Sequence, residues 1–464
     1  MPRGAPPRPL APGRSFWRRR CAFLLLVACG IGLAFVTVPS EVAPAEATHA
    51  YDDYGVGVTV QTLVDHSRST PAHDGQPGLP SRTLVTSIWY PAAEGSAASP
   101  EVDATPDVAN GPYPLIVFAH GLGTVPRDYA PLLSAWAAAG FVVAAPKFPL
   151  TSLGTPGGVD PADVYNQPGD VNFVIDVMLL DSATHAGLLS GMIAPSEIGV
   201  AGHSEGAITT LGFFNTCCRN PRIKAAAVFS GDPEAYPGGH YVFDGQPPML
   251  VVHGTKDGFL PYGQMVSVFN QQKGPKVLLS LLGANHGNWV HPRSRWFPSV
   301  ARTSIDFFRR YLQGSEQAGA RIDDDAQPGV TTVHYAPQPG QALVVTPPPT
   351  PPTHRHASLT PSKGLTNGQT VVVHWMGYLP GNVVNVVECS GSSESDCDFV
   401  TGRILIPDAI GSGSTTLRIV EGAVGDGVCG TAGAHCSVYV NDAGLTSPAA
   451  TVRIPITFAG GSGP

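Results

Sequence analysis

Ser204 stands in Gly202-His203-Ser204-Glu205-Gly206, a G-x-S-x-G pentapeptide. Its flanks give the five letters their meaning. Ile198-Gly199-Val200-Ala201 reads as a buried strand, and Ala207 to Phe214 can continue as a helix. Strand, sharp turn and helix would expose a serine hydroxyl at the end of a sheet, with small glycines allowing the strained turn. The chemistry implied is nucleophilic attack. A serine hydroxyl is a weak nucleophile at neutral pH, so it needs a base, and the base needs an orienting acid. Met249-Leu250-Val251-Val252-His253-Gly254-Thr255-Lys256-Asp257 supplies the acid, 53 residues past Ser204. Leu281-Leu282-Gly283-Ala284-Asn285-His286-Gly287 supplies the base, 29 residues further on. Both lie just beyond strand-like runs, on the rim that would carry Ser204. Asp232, after the run Ala225 to Phe229, is the alternative acid. Of the other histidines near these motifs, His120, His203, His253 and His291, two precede glycines at strand ends. His120 and His253 therefore read as turn-shaping residues.

A tetrahedral intermediate needs backbone N–H donors. The residue after the nucleophile, Glu205, offers one, and Leu122 after His120-Gly121 offers the other. A carboxylate close to a developing oxyanion is unfavourable. The sequence therefore predicts that the Glu205 side chain turns away from the cleft and is hydrogen-bonded or paired with an arginine. There is no H-E-x-x-H motif or tight ligand cluster, so neither metal nor cofactor is expected.

Alternating strand-like and helix-like runs must position these residues. Leu84 to Tyr90, Pro114 to Ala119, Phe141 to Ala145, Ile198 to Ala201, Ala225 to Phe229, Met249 to Val252 and Val277 to Leu281 read as strands. Tyr129 to Ala139, Asp170 to Leu180 and Ile305 to Leu312 read as helices. Together they predict an α/β unit over 51–335 with a largely parallel sheet. Residues 336–356 carry the proline-rich Thr346-Pro347-Pro348-Pro349-Thr350-Pro351-Pro352 and read as an extended spacer. From 357 to 459, short β-type runs such as Thr370 to Trp375 alternate with turn residues, predicting an all-β sandwich of immunoglobulin-like size.

The chain has 464 residues and a formal net charge of −8, without the basic face that nucleic acid requires. Arg14 and Arg18 to Arg20 precede an apolar run from Cys21 to Val38 and small residues near Ala43 to Ala47. This is the layout of a secretory signal peptide over 1–47. An uncleaved anchor helix, or a lipoprotein through Cys29, is the alternative. Removing 1–47 takes six Arg and two Glu and moves the net charge from −8 to −12. Two close cysteine pairs, Cys389 with Cys397 and Cys429 with Cys436, suit disulfides in an oxidising compartment. Adjacent Cys217 and Cys218 are either free and buried or joined in a vicinal bridge.

Ser204, Asp257 and His286, with Ala119-His120-Gly121-Leu122-Gly123, resemble the α/β-hydrolase superfamily. Ile88-Trp89-Tyr90-Pro91 and Asn166 to Asp170 are similar to exported acetylhydrolase-like esterases, and Met249 to Asp257 with Gly283 to His286 to cutinase-like polyesterases. The resemblance implies a doubly wound, mostly parallel sheet and a serine carboxylesterase acting on small-molecule esters. Dienelactone hydrolases of this group carry a cysteine where Ser204 stands. Leu122 and Asp232-Pro233 replace the polyesterases' aromatic clamp. The short interval between Phe229 and Met249 leaves little room for a lid, which favours short or soluble esters. Ala357 to Gln369 and the two cysteine pairs resemble the neocarzinostatin and macromomycin family, which implies a seven-stranded immunoglobulin-like sandwich. Free-standing members bind an enediyne chromophore, so a small ligand or a surface partner is one expectation for this part, and a role as spacer or adhesion module is the other. The competing functional class is a binding protein in which the α/β unit is only a scaffold.

Overall fold

The computed structural model describes residues 54–95, 99–184, 187–346, 355–378, 384–392, 396–405, 411–431, 435–441 and 451–459. The expected leader and Cys29 lie outside the described residues, as do 347–354 of the expected spacer. Among the described residues, no helix is long and apolar enough to cross a membrane.

A ten-stranded sheet organises the N-terminal part. Its strands are β1 (Gly55–Asp65), β2 (Arg82–Ala92), β3 (Glu101–Val102), β4 (Tyr113–Ala119), β5 (Val142–Lys147), β6 (Ile193–His203), β7 (Ile223–Phe229), β8 (Met249–Gly254), β9 (Lys276–Leu281) and β10 (Thr331–Ala336). Their order is β10-β9-β8-β7-β6-β4-β5-β2-β1-β3. The six strands from β9 across to β5 run parallel to one another. β10 pairs antiparallel with β9, and β2 antiparallel with β5. Parallel strands covered on both faces need apolar residues at every position. β4, β8 and β9 are buried along their whole length.

Two helical layers cover the sheet. α1 (Ala130–Ala138) and α5 (Phe297–Leu312) cover one face, where Ile116 and Phe118 meet Trp136, Ile305 and Phe308. α2 (Gln167–Ala183), α3 (Glu205–Gly212) and α4 (Tyr262–Gln271) cover the other, where Leu115 and Val117 meet Val174, Leu211 and Met265. The alternation along β4 is that of a pleated strand. A short helix α6 (Glu316–Arg321) follows α5. The order reverses at β4, where β5 lies on one side and β6 on the other. That is the switch point beyond which such sheets place their sites.

β1, β3, β10 and α4 are present beyond the elements expected from the sequence. Residues 337–345 of the expected spacer are packed on the α/β part. Val345 exchanges two hydrogen bonds with the Asn270 side chain, at 2.9 Å each, and Gly340 N–H donates to Lys273 O. Leu343 and Val345 pack on the core beneath. Residues 337–345 thus run back over the end of α4.

The C-terminal part is all β. A three-stranded sheet is ordered β11 (His356–Thr360), β12 (Thr370–Met376) and β15 (Gly413–Arg418). A four-stranded sheet is ordered β14 (Cys397–Leu405), β13 (Val384–Cys389), β18 (Ser437–Asn441) and β19 (Thr451–Pro455), and β16 (Gly422–Val424) and β17 (Gly427–Cys429) form a hairpin. Val371, Val373, Trp375, Val386, Leu417 and Val438 share one core between the two larger sheets. Disulfides join Cys389 to Cys397, opposite each other on β13 and β14, and Cys429 to Cys436. In the α/β part, Cys217 and Cys218 form a vicinal bridge.

Candidate active site

β6 ends at His203 and α3 begins at Glu205, so Ser204 alone makes the turn. Its φ of +58° lies in the left-handed region that a residue with a side chain rarely enters. The glycines around it are required by close approach. A Cβ on Gly202 would sit 2.0 Å from Gly206 O, and one on Gly206 would sit 2.0 Å from Ala119 O. Only bare backbone lets α3 start this close to β4 and β6. Ser204 N–H donates to Phe229 O on β7 at 3.0 Å, which fixes the turn to the sheet.

The structure brings Ser204, His286 and Asp257 into one line. His286 Nε2 is 2.8 Å from Ser204 Oγ, and His286 Nδ1 is 2.8 Å from Asp257 Oδ2. Asp257 is buried, and burial acts to raise its pKa. Hydrogen bonds from His253 and His286 outweigh that and hold it well below the usual carboxylate range. Its Oδ1 accepts the N–H groups of Phe259 and Leu260. An anion in this place can orient the His286 ring and set its tautomer, an arrangement that would leave Nε2 facing the serine hydroxyl as an acceptor.

Asp232 does not reach this line. It is buried near Glu234 and His253, and burial first, then Glu234, pushes it up to about 7.

The other histidines have separate duties. His253 is more than a turn former: its Nε2 lies 3.2 Å from Asp257 Oδ2 and 2.9 Å from Leu260 O. His120 lies inside the fold, where Nδ1 donates to Gly121 O and Nε2 accepts Phe148 N–H. Burial pushes it down to about 4, so it is neutral. His203 is likewise pushed down to about 3, by burial first and then by His286. Its Nε2 donates to His286 O at 3.2 Å and its Nδ1 accepts from Tyr129 OH at 2.8 Å. His291 is exposed and accepts Arg293 N–H.

Several positioning residues carried no readable signal in the sequence. Tyr129 OH accepts Gly121 N–H at 3.2 Å while it holds His203, so it joins the Leu122 loop to the elbow strand. Asn285 Oδ1 accepts N–H groups from both Gly258 and His286, tying the acid loop to the base loop. The Ser230 hydroxyl also donates to His286 O. These partners are set by loop geometry, which residue spacing does not encode.

Leu122 follows Gly121, whose Cβ would lie 3.2 Å from Ser204 Cβ. Among the described residues, the Leu122 N–H has no backbone or side-chain acceptor. Glu205 opens α3, so no helical carbonyl lies behind its N–H. Its side chain turns into the interior, as expected, but its partner there is Gln167 and not an arginine.

Leu122, Leu153 and Phe259 are exposed apolar side chains at this rim, and the Phe259 ring lies 5.1 Å from His286. The segment between β7 and β8 is packed down, with Tyr236 and Phe243 buried and Val242 N–H bonded to Phe214 O. Among the described residues, no group of His, Cys, Asp and Glu could hold a metal ion.

The β-sandwich has a clear likeness. Residues 357–458 match the neocarzinostatin family. Macromomycin from Streptomyces macromomyceticus is 32% identical over 108 residues, which are 22% of this chain and 75% of macromomycin. Through this part, the chain belongs to the neocarzinostatin family. The neocarzinostatin part holds the Cys389–Cys397 and Cys429–Cys436 bridges. Residues 83–254 match the chlorophyllase family, a span that contains Ser204 and ends just short of Asp257. A ferulic acid esterase from Streptomyces cinnamoneus is similar over 61% of this chain and 96% of its own, at 20% identity and a TM-score of 0.45.

Proposed function

We propose that the α/β part is an exported serine carboxylesterase that hydrolyses small or soluble acyl esters. One observation carries the reading: His286 bridges Ser204 Oγ and Asp257 Oδ2 at 2.8 Å on each side. A strained elbow serine with both partners in hydrogen-bond reach is the arrangement nucleophilic catalysis needs. The chlorophyllase-family match over the elbow supports ester hydrolysis. Three disulfides support an oxidising compartment.

In this reading His286 Nε2 takes the Ser204 proton as Oγ attacks the ester carbonyl. The N–H groups of Leu122 and Glu205 receive the oxyanion. Collapse expels the alcohol, protonated by His286, and leaves an acyl-serine. Water then attacks with His286 as base, releasing the acid and restoring the serine. The packed-down segment between β7 and β8 leaves Ser204 half-open, which favours soluble esters over interfacial lipid.

Steady-state hydrolysis of p-nitrophenyl acetate and butyrate tests the reading. Ser204→Ala should lose at least about 10⁴ in kcat. Activity near that of the wild type would make the elbow a structural turn. Family membership favours a second role for the neocarzinostatin part, in holding a small ligand or a surface partner. That role is independent of Ser204 chemistry.

A further inference from the structure

The Glu205 side chain is buried, with 6% exposure. Gln167 Nε2 donates to its Oε2 at 3.3 Å, and the Thr151 hydroxyl is its second neighbour. Oε1 is buried without a partner. Gln167, the first residue of α2, also donates to Thr151 Oγ1 at 3.0 Å. Its side-chain oxygen, Oε1, accepts from the Thr209 hydroxyl, which sits one turn beyond Glu205 in α3. Thr151 reaches the other side of the site. Its carbonyl accepts Gly123 N–H at 2.7 Å, and Leu153 N–H donates to Thr124 O. The start of α2 is itself anchored, because Arg82 pairs with Asp163 and Asp170, on either side of Gln167.

We propose that Glu205 is a positioning residue whose side chain, through Gln167 and Thr151, ties the elbow helix to the Leu122 loop and so fixes the spacing of the two oxyanion N–H groups. The inference rests on the esterase reading of this site and deepens it. A carboxylate buried with one oxygen lacking a donor is costly. Burial pushes this carboxyl well above its usual range. Gln167 and Thr151 oppose the rise, and Asp163 and Asp160 add to it. Tyr129 and Tyr236 also face it, and Arg82 is engaged by Asp163 and Asp170. A neutral acid both donates and accepts, which suits a link between two loops. Ionisation would put an unpaired charge into that link, so kcat should fall on the alkaline side.

The test is kinetics of the full chain on p-nitrophenyl acetate across pH, with folding followed by circular dichroism. Glu205→Ala should lower kcat about 10- to 100-fold, part of the cost of losing an oxyanion donor, with KM within about threefold. Glu205→Gln should recover most of that loss and lack the alkaline fall. Adding Gln167→Ala to Glu205→Ala should cost no more than the worse single change, because the two act through one network. Wild-type kcat in folded Glu205→Ala would overturn the proposal. So would a Glu205→Gln as impaired as Glu205→Ala, or additive losses. If Glu205→Ala does not fold, Gln167→Ala and the Glu205→Gln pH profile decide alone. Ser204→Ala is run beside them, and its retained activity would sink the esterase reading instead.

Discussion

Asp257 and Asp232 are both buried carboxyls just beyond neighbouring strands, and their surroundings drive them in opposite directions. Asp257 is held down by His253 and His286, while Asp232 is pushed up to about 7. Both follow strand-like runs in the sequence, where chain order and spacing favour Asp257 and leave Asp232 as the alternative, because the final choice rests on which loop reaches His286. Asp257→Asn should lose about 10³- to 10⁴-fold in kcat/KM, since the amide favours the wrong His286 tautomer. Asp232→Asn should stay within about tenfold. Initial rates on p-nitrophenyl butyrate check this, and the reverse ranking would move the acid to Asp232. The order Ser204, Asp257, His286 was legible because each follows an apolar run. The direction of the Glu205 side chain was legible from electrostatics. Its partner was not, because Gln167 lies 38 residues away.

The elbow shows how an element places a side chain. Gly206 lets α3 begin against β4, and a methyl there would have to displace the Ala119 carbonyl. Backbone atoms cannot rotate away as a flexible side chain can. Gly206→Ala should therefore cost at least about 3 kcal/mol, beyond ordinary overpacking. Its thermal midpoint should drop well below that of Ser204→Ala, and equal midpoints would contradict the packing described. The parallel strands were readable because burial on both faces makes them continuous apolar runs. β1 and β10 lack such a run. β1 carries polar residues on both sides, as in Thr59 and Gln61 on one and Thr62 on the other, and β10 is partly exposed, so neither stands out from its surroundings.

At the scale of the whole chain, the change from α/β to all-β was legible from the loss of helical period and the proline-rich stretch. The packing of 337–345 was not. Val345 is held by Asn270 across 75 residues, a contact that composition does not reveal. A chain ending after Thr346 should keep esterase turnover within about twofold. One ending after Ala336 loses the Asn270 hydrogen bonds and the packing of Leu343 and Val345, and should melt about 5 °C lower or more. Loss of turnover in the longer chain would mean that the neocarzinostatin part completes the site. The proposed hydrolysis rests on Ser204 acting as a nucleophile activated by His286. Mass spectrometry after treatment with a fluorophosphonate tests it most directly. One stoichiometric adduct is expected on the peptide carrying Ser204, and none in Ser204→Ala. An unlabelled wild-type chain, or an adduct on another residue, would contradict it.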